Sequence, residues 1–160
     1  MTNAGDHAST TTIDAAPERL ADLRAFVRAE LRERDVDEET ISDLIQAVDE
    51  LGCNTIEHGY AGRPGTIEAE VSRLGTSVTV RMRDAAPPFD PRTVPEPRLD
   101  LPLRERPLGG MGVHLARTLT DRIDHRILPG GGNEIVLTKE LRPSGPPEES
   151  DGHHDGPADS

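Results

Sequence analysis

Residues 40–60, TISDLIQAVDELGCNTIEHGY, decide how the chain is read. Ile41, Leu44, Ile45, Val48, Leu51 and Ile56 recur every three or four residues, the spacing of one buried stripe on an α-helix. Glu50 and Asn54 stand at i, i+4 and His58 follows at i+8, so the three share a face. At about 100° per residue, Asn54 and His58 border the apolar stripe and Glu50 lies further round. Polar side chains at the margin of a core-packed helix stand where a cleft opens. A carboxylate beside an amide oxygen offers hard ligands suited to Mg2+, which keeps several waters and binds phosphates. A solvated helix face has the same composition, so the pair needs support from the rest of the chain. Thr40 and Ser42 are among the N-cap candidates of this helix, and Gly59 is a good stop signal.

Outward from this helix the periodicity changes. On the N-terminal side an earlier helix is expected to start near Pro17, a residue suited to the first helical turn. Its apolar positions are Leu20, Leu23, Phe26, Val27 and Leu31, and the acidic segment 35–37 breaks it. On the C-terminal side, 66–71 and 76–83 alternate apolar and polar residues around Gly75, a hairpin pattern. Residues 85–108 are rich in Pro and Arg with little periodicity, and a stretch this long inside a compact domain is usually functional or mobile. The glycines at 109, 110 and 112 then open a third helix carrying Val113, Leu115, Ala116 and Leu119. Strands around 123–128 and 134–138 close the domain, with a possible edge strand at 10–13. The order predicts an α+β two-layer sandwich, a mostly antiparallel sheet with helices packed on one face.

Composition narrows the function. The chain has 160 residues, 18 Lys+Arg against 30 Asp+Glu, and a net charge of −12. An acidic protein of this kind lacks the basic face that direct nucleic-acid or anionic-membrane binding needs. No apolar run reaches the roughly 20 residues that span a bilayer, and the N-terminus has no signal-peptide pattern. A cytoplasmic protein is expected. The single Cys53 excludes an internal disulfide framework and a Cys-built zinc site, and is expected to be a small buried residue. Lys139 is the only lysine, and no G-x-x-x-x-G-K occurs, so a P-loop is absent. Residues 1–9 and the acidic tail 143–160 hold too little apolar surface to offset the entropy of ordering and are expected to be disordered. His153 and His154 in that tail are expected to be solvated rather than metal-bound.

Two further segments carry chemistry. Asp84 ends a strand and is followed by AAPPF; a carboxylate there can accept from an exocyclic amine such as that of adenine. A turn aspartate has the same local sequence. The glycines before the third helix free backbone N–H groups to approach an anion, which the helix dipole favours. Their spacing fails the dinucleotide fingerprint, because Leu115 stands where its third glycine belongs.

In this order the segments resemble the GHKL ATPase superfamily, the Bergerat fold, and within it the small stand-alone anti-sigma factor serine/threonine kinases of bacteria. The resemblance covers about 10–141. DELGCNTIEHGY (49–60) is similar to the family's N box, RDAAPPFDP (83–91) to its G1 box, LGGMGVHLA (108–116) to its G2 box and PGGGNEIVLTK (129–139) to its closing hairpin. The resemblance implies an ATP-binding kinase domain at 10–142. In it Glu50 activates the attacking group, Asn54 binds Mg2+ and Asp84 receives the adenine amino group. Gly109, Gly110, Met111 and Gly112 wrap the phosphates. His58 either reaches the nucleotide or its lid, or hydrogen-bonds backbone at the helix end. Arg104 and Arg106 fall in the lid, where solvation is the expected role. The implied partners are a sigma factor, a STAS-domain anti-anti-sigma protein and a second copy of the chain. The sequence departs from the pattern at Ala86 and Pro88, which occupy glycine positions of the G1 box, and at Asn133, where Thr is common. These departures favour an alternative, a non-catalytic partner-switch regulator with weak or no nucleotide binding; the intact Glu50/Asn54 pair favours the kinase.

Deleting 143–160 is expected to leave the urea-unfolding free energy within about 0.5 kcal/mol of the full chain, the size of an ordinary surface change. A loss above about 1 kcal/mol would mean that the tail docks on the domain.

Overall fold

The computed structural model describes residues 7–95, 98–105 and 111–143, without the side chains of Leu103 and Met111. Arg106, Gly109, Gly110, His153 and His154 lie outside the described residues. Strand β1 (Ser9–Asp14) leads through a 3-10 turn at Pro17–Arg19 into α1 (Leu20–Glu33), followed by α2 (Glu38–Asn54). Strands β2 (Thr66–Leu74) and β3 (Ser77–Asp84) form a hairpin around Gly75, whose φ is +61°. After a largely irregular segment come α3 (Met111–Leu119), β4 (Arg122–Ile127) and β5 (Asn133–Glu140). The five strands pair in the order β1-β2-β3-β5-β4, antiparallel throughout. The helices pack on one side of this sheet, as the element order predicts. Among the described residues no helix is long and apolar enough to cross a membrane.

Strand alternation builds the core. Ile67, Ala69 and Val71 of β2, Val78, Val80 and Met82 of β3, and Ile135 and Leu137 of β5 are all buried. Their partners are Leu23, Val27 and Leu31 of α1 and Leu44, Val48 and Leu51 of α2, each essentially inaccessible to solvent. With so few aromatic residues, the layers meet through branched aliphatic side chains, which pack closely only in a narrow set of rotamers. Cys53 packs against this core and is partly rather than fully buried.

Two helix boundaries differ from expectation. The N-cap of α2 is Asp37, whose Oδ2 accepts the Thr40 N–H at 3.0 Å, not Thr40 or Ser42. Asp37 sits in extended backbone immediately before the first turn, where a carboxylate meets the free N–H groups and the positive end of the dipole. Nor does Gly59 stop the helix. Beyond Asn54 the chain widens into a π-helical turn, Thr55–Tyr60, and terminates at Ala61 and Gly62 with φ of +51° and +81°. Gly59 has a packing role instead, described below.

The sheet's other face is a lattice of charge. Glu68, Arg83, Glu134 and Arg126 lie directly opposite one another across β2, β3, β5 and β4. Arg83 donates to Glu68 at 2.7 Å and to Glu134 at 2.7 Å, and Arg126 donates to Glu134 at 2.6 Å. Opposite charges in directly facing positions stabilise strand pairing. Hydrogen bonds from Arg126 and then Arg83 outweigh burial and bring the Glu134 carboxyl down to about 2 from an ordinary 4.5. A depressed carboxylate contributes stability that is complete above its unfolded value and is lost as pH falls through its folded one. Glu134→Gln is therefore expected to cost about 1.5–3 kcal/mol near pH 7, the range for hydrogen bonds to a charged group. The gap from wild type should close as pH falls from about 4.5 towards 2, read from urea midpoints across that range.

Candidate functional site

A cleft of about 180 Å³ opens where the end of α2, the end of β3 and the start of β5 meet. Asn54 and His58 line it from the helix, Asp84 and Phe89 from the β3 end, and Asn133 and Ile135 from β5. The inward side of β3 runs Val78, Val80, Met82 and then Asp84, so the alternation that buries three apolar residues carries the carboxylate to the same face at the strand's last position. Asn133 is directly opposite Asp84 across β5, at the start of the inward series that continues with Ile135 and Leu137.

Asp84 is half-buried and tightly held. Its Oδ1 accepts from Asn133 Nδ2 at 3.0 Å and from the Ala86 N–H at 3.0 Å. Both of these bonds fall on Oδ1, and the Asn133 backbone N–H also acts on the carboxylate. Burial pushes the Asp84 carboxyl above its usual range, and the bonds from Asn133 and Ala86 oppose that rise. Tyr60 supports the same segment from beneath: its hydroxyl donates to the Thr66 carbonyl at 2.7 Å and accepts the Ala85 N–H at 2.8 Å.

Glu50 lies one helical turn before Asn54 and is not part of the cleft lining. Its carboxylate rests against the first turn of α3, where a Cβ on Gly112 would overlap Glu50 Oε2. Glycine at 112 thus makes room for the carboxylate. The structure brings Asn54, His58 and Asp84 into one cleft and sets Glu50 and Gly112 against each other beside it. Met111 begins α3. Arg104 is exposed in a 3-10 turn at Leu103–Glu105. The cleft suits a flat heteroaromatic ring with an exocyclic donor: Pro88, Phe89 and Ile135 provide apolar walls and Asp84 Oδ2 an acceptor. Asn54, in the lining, carries an amide oxygen of the kind that a divalent cation could take.

The loop after Asp84 does without glycine. No residue from 85 to 89 has a positive φ, so Ala86, Pro87 and Pro88 sit in ordinary backbone regions. The close approach falls elsewhere. Ala86 is buried against Gly59, where an added Cβ would lie 2.9 Å from the Ala86 methyl. Gly132, at φ +96°, lets the β4–β5 turn pass against the Asp84 carbonyl, which a Cβ there would overlap.

Sheet and helices together define a two-layer ATPase-type domain. The chain belongs to the histidine kinase-like ATPase domain family, whose profile matches residues 13–139. It is similar to the anti-sigma F factor of Thermoanaerobacter sp. (strain X514), 29% identical over 119 residues covering 74% of this chain and 82% of that protein. The anti-sigma F factor of Caldanaerobacter subterraneus subsp. tengcongensis is 28% identical over the same shares. Among solved structures it resembles the RsbU and RsbW domains of a Mycobacterium tuberculosis protein with a TM-score of 0.59 and 22% identity, over 84% of this chain. The chain spans about a third, 32%, of that longer protein, and the likeness is one of fold.

Asn133 and His125 are the site residues that sequence reading passed over, Asn133 appearing only as a departure. The signal was present in the alternation of β5, which places 133 inward with 135 and 137.

The Gly59–Ala86 contact gives a direct test of how helix and loop fit. Gly59→Ala is expected to destabilise by about 1–3 kcal/mol, the usual cost of overpacking. Ala86→Gly in the same chain should recover most of it, giving a coupling energy of about 0.5–3 kcal/mol in a urea-unfolding double-mutant cycle.

Proposed function

We infer that this protein is an anti-sigma factor of the partner-switching kind. It sequesters a sigma factor, as a homodimer in the cytoplasm, and uses ATP to phosphorylate a serine or threonine on a STAS-domain anti-anti-sigma protein. The observation that carries this reading is the meeting of Asn54 and Asp84 in one cleft with Glu50 seated against Gly112 beside it. The anti-sigma F factors to which the chain is similar support the regulatory half.

In this reading Asp84 and the apolar walls hold the base, and residues 109–112 form the phosphate loop. Asn54 holds Mg2+ at the rim. Bound ATP and Mg2+ supply the transferable phosphoryl group and the positive charge that offsets its transition state. Glu50 takes the proton of the substrate hydroxyl as that oxygen attacks, a role suited to a carboxylate one helical turn from the metal-binding amide. Gly112 keeps Glu50 in place by having no side chain. The loop's replacement of glycine by Ala86 and Pro88 does not argue for a catalytically silent regulator, because its backbone requires no positive φ.

Two variants separate the activities. Asn54→Ala is expected to abolish the Mg2+-dependent rise in melting temperature that ATP produces by mass action, with the unliganded melting temperature unchanged. Glu50→Gln should keep ATP binding and sigma pull-down while phosphate transfer to the STAS protein falls about 10²–10⁴-fold, the usual cost of losing a general base. Transfer at the wild-type rate in Glu50→Gln would remove Glu50 from the mechanism. A wild-type protein that captures sigma yet transfers no labelled phosphate would make the protein a regulator without kinase activity.

A further inference from the structure

Asn133 is 3% exposed and makes hydrogen bonds at both ends of its amide. The Phe89 N–H, 2.8 Å from Oδ1, can only donate, so that end must be the oxygen. The carbonyls of Ala86 and Pro87, at 3.3 and 3.1 Å from Nδ2, can only accept, so the other end must be the NH2. The same NH2 reaches Asp84 Oδ1, its two hydrogens being shared among three acceptors. These backbone groups settle the amide orientation without reference to any titratable group. They also settle a tautomer. His125 Nε2 lies 2.9 Å from Asn133 Oδ1, an acceptor, and therefore carries its hydrogen there. The His125 side chain is 6% exposed, and its Nδ1 lies 3.8 Å from Asp90, whose carboxylate is forked by Arg92.

We propose that Asn133, braced by His125, is the positioning residue that sets base specificity in this cleft: it occupies Asp84 Oδ1 and pins the 86–89 backbone, leaving Oδ2 as the acceptor for a 6-aminopurine nucleotide over a 6-oxopurine one. The inference rests on reading the cleft as the nucleotide site. A carboxylate whose two oxygens each already took two donors from within the protein would have nothing left for a ligand. One free to rotate would present either oxygen, or neither, to the base. With Oδ1 already taking two donors, rotation breaks two hydrogen bonds, and the lone pairs of Oδ2 face whatever fills the cleft. An exocyclic amine donates to them, whereas a 6-oxo group sets its own lone pairs against a carboxylate. The same staple gives the 86–89 segment a fixed course in a loop that has no glycine.

The test compares ATP with ITP, whose bases differ at position 6 and in the hydrogen that hypoxanthine carries on N1, by calorimetric titration of the full chain with Mg2+. Wild type is expected to prefer ATP by at least about tenfold, roughly what one satisfied charge-assisted hydrogen bond contributes. Asn133→Ala should bring the two affinities to within about threefold of each other. His125→Ala should lower the preference less far. Asn133→Ser, whose shorter side chain keeps one donor and loses the amide's second, should fall between, and decides the matter if Asn133→Ala does not fold. A merely structural staple would weaken both nucleotides by the same factor, so a preserved ATP/ITP ratio in these variants overturns the inference. Equal binding of ATP and ITP by wild type overturns it too, while leaving the nucleotide site standing. Binding of neither by wild type overturns the nucleotide reading itself and the inference with it.

Discussion

The pairing of β3 with β5 is the constraint on which the rest of the domain depends. One register sets Asp84 opposite Asn133 on the inner face and Arg83 opposite Glu134 on the outer face. Because side chains alternate strictly, these two outcomes are not independent. A slip by one residue would turn the Asp84 carboxylate outward and bring charged side chains into the aliphatic core. The outer ladder of Glu68, Arg83, Glu134 and Arg126 therefore acts on the cleft at a distance, by stabilising the pairing that places Asp84 there. Electrostatics on the outer face of the sheet helps to hold the Asp84 carboxylate in place on the inner one.

The helical side of the cleft is set by a different means. Asn54 closes α2, and the π-helical turn that follows carries His58 and Gly59 towards the β3 end and Tyr60 under it. A wider turn moves each later side chain round the axis relative to an α-helix, and such turns are frequent at functional sites. The fit between this turn and the loop is reciprocal: Gly59 omits a side chain where Ala86 has one. Glycine has not been lost from this site so much as placed on the opposite wall.

The architecture was legible because long periodic segments report it directly. The stripe from Ile41 to Ile56 and the alternation through Val78, Val80 and Met82 identify a helix and a strand whatever surrounds them. The positions of Glu50, Asn54 and Asp84 were legible because each lies at a fixed phase of such a pattern. The boundaries were less so. Asp37 and Thr40 are both good caps, and only backbone geometry chooses between them. Gly59 carries the composition of a helix stop, but its reason is a neighbour 27 positions away, which no local pattern reveals. Asn133 and His125 belong to the same class. Their importance comes from a hydrogen-bond network joining β3, β4, β5 and the following loop, and such a network exists only once the sheet has formed.

Lys139 offers a consequence of another kind. Its ammonium is hydrogen-bonded to Asp43 of α2 and to the Leu119 carbonyl that ends α3, each at 2.8 Å. It is the only lysine in the chain, every other basic side chain being arginine. The single ε-amino group is thus committed to joining the last strand to two helices. Acylating enzymes, amine-directed cross-linkers and isopeptide tags find no other lysine to attach to, and to use this one they must first pull it from its partners. For this chain, lysine modification removes the contact that ties the last strand to both helices.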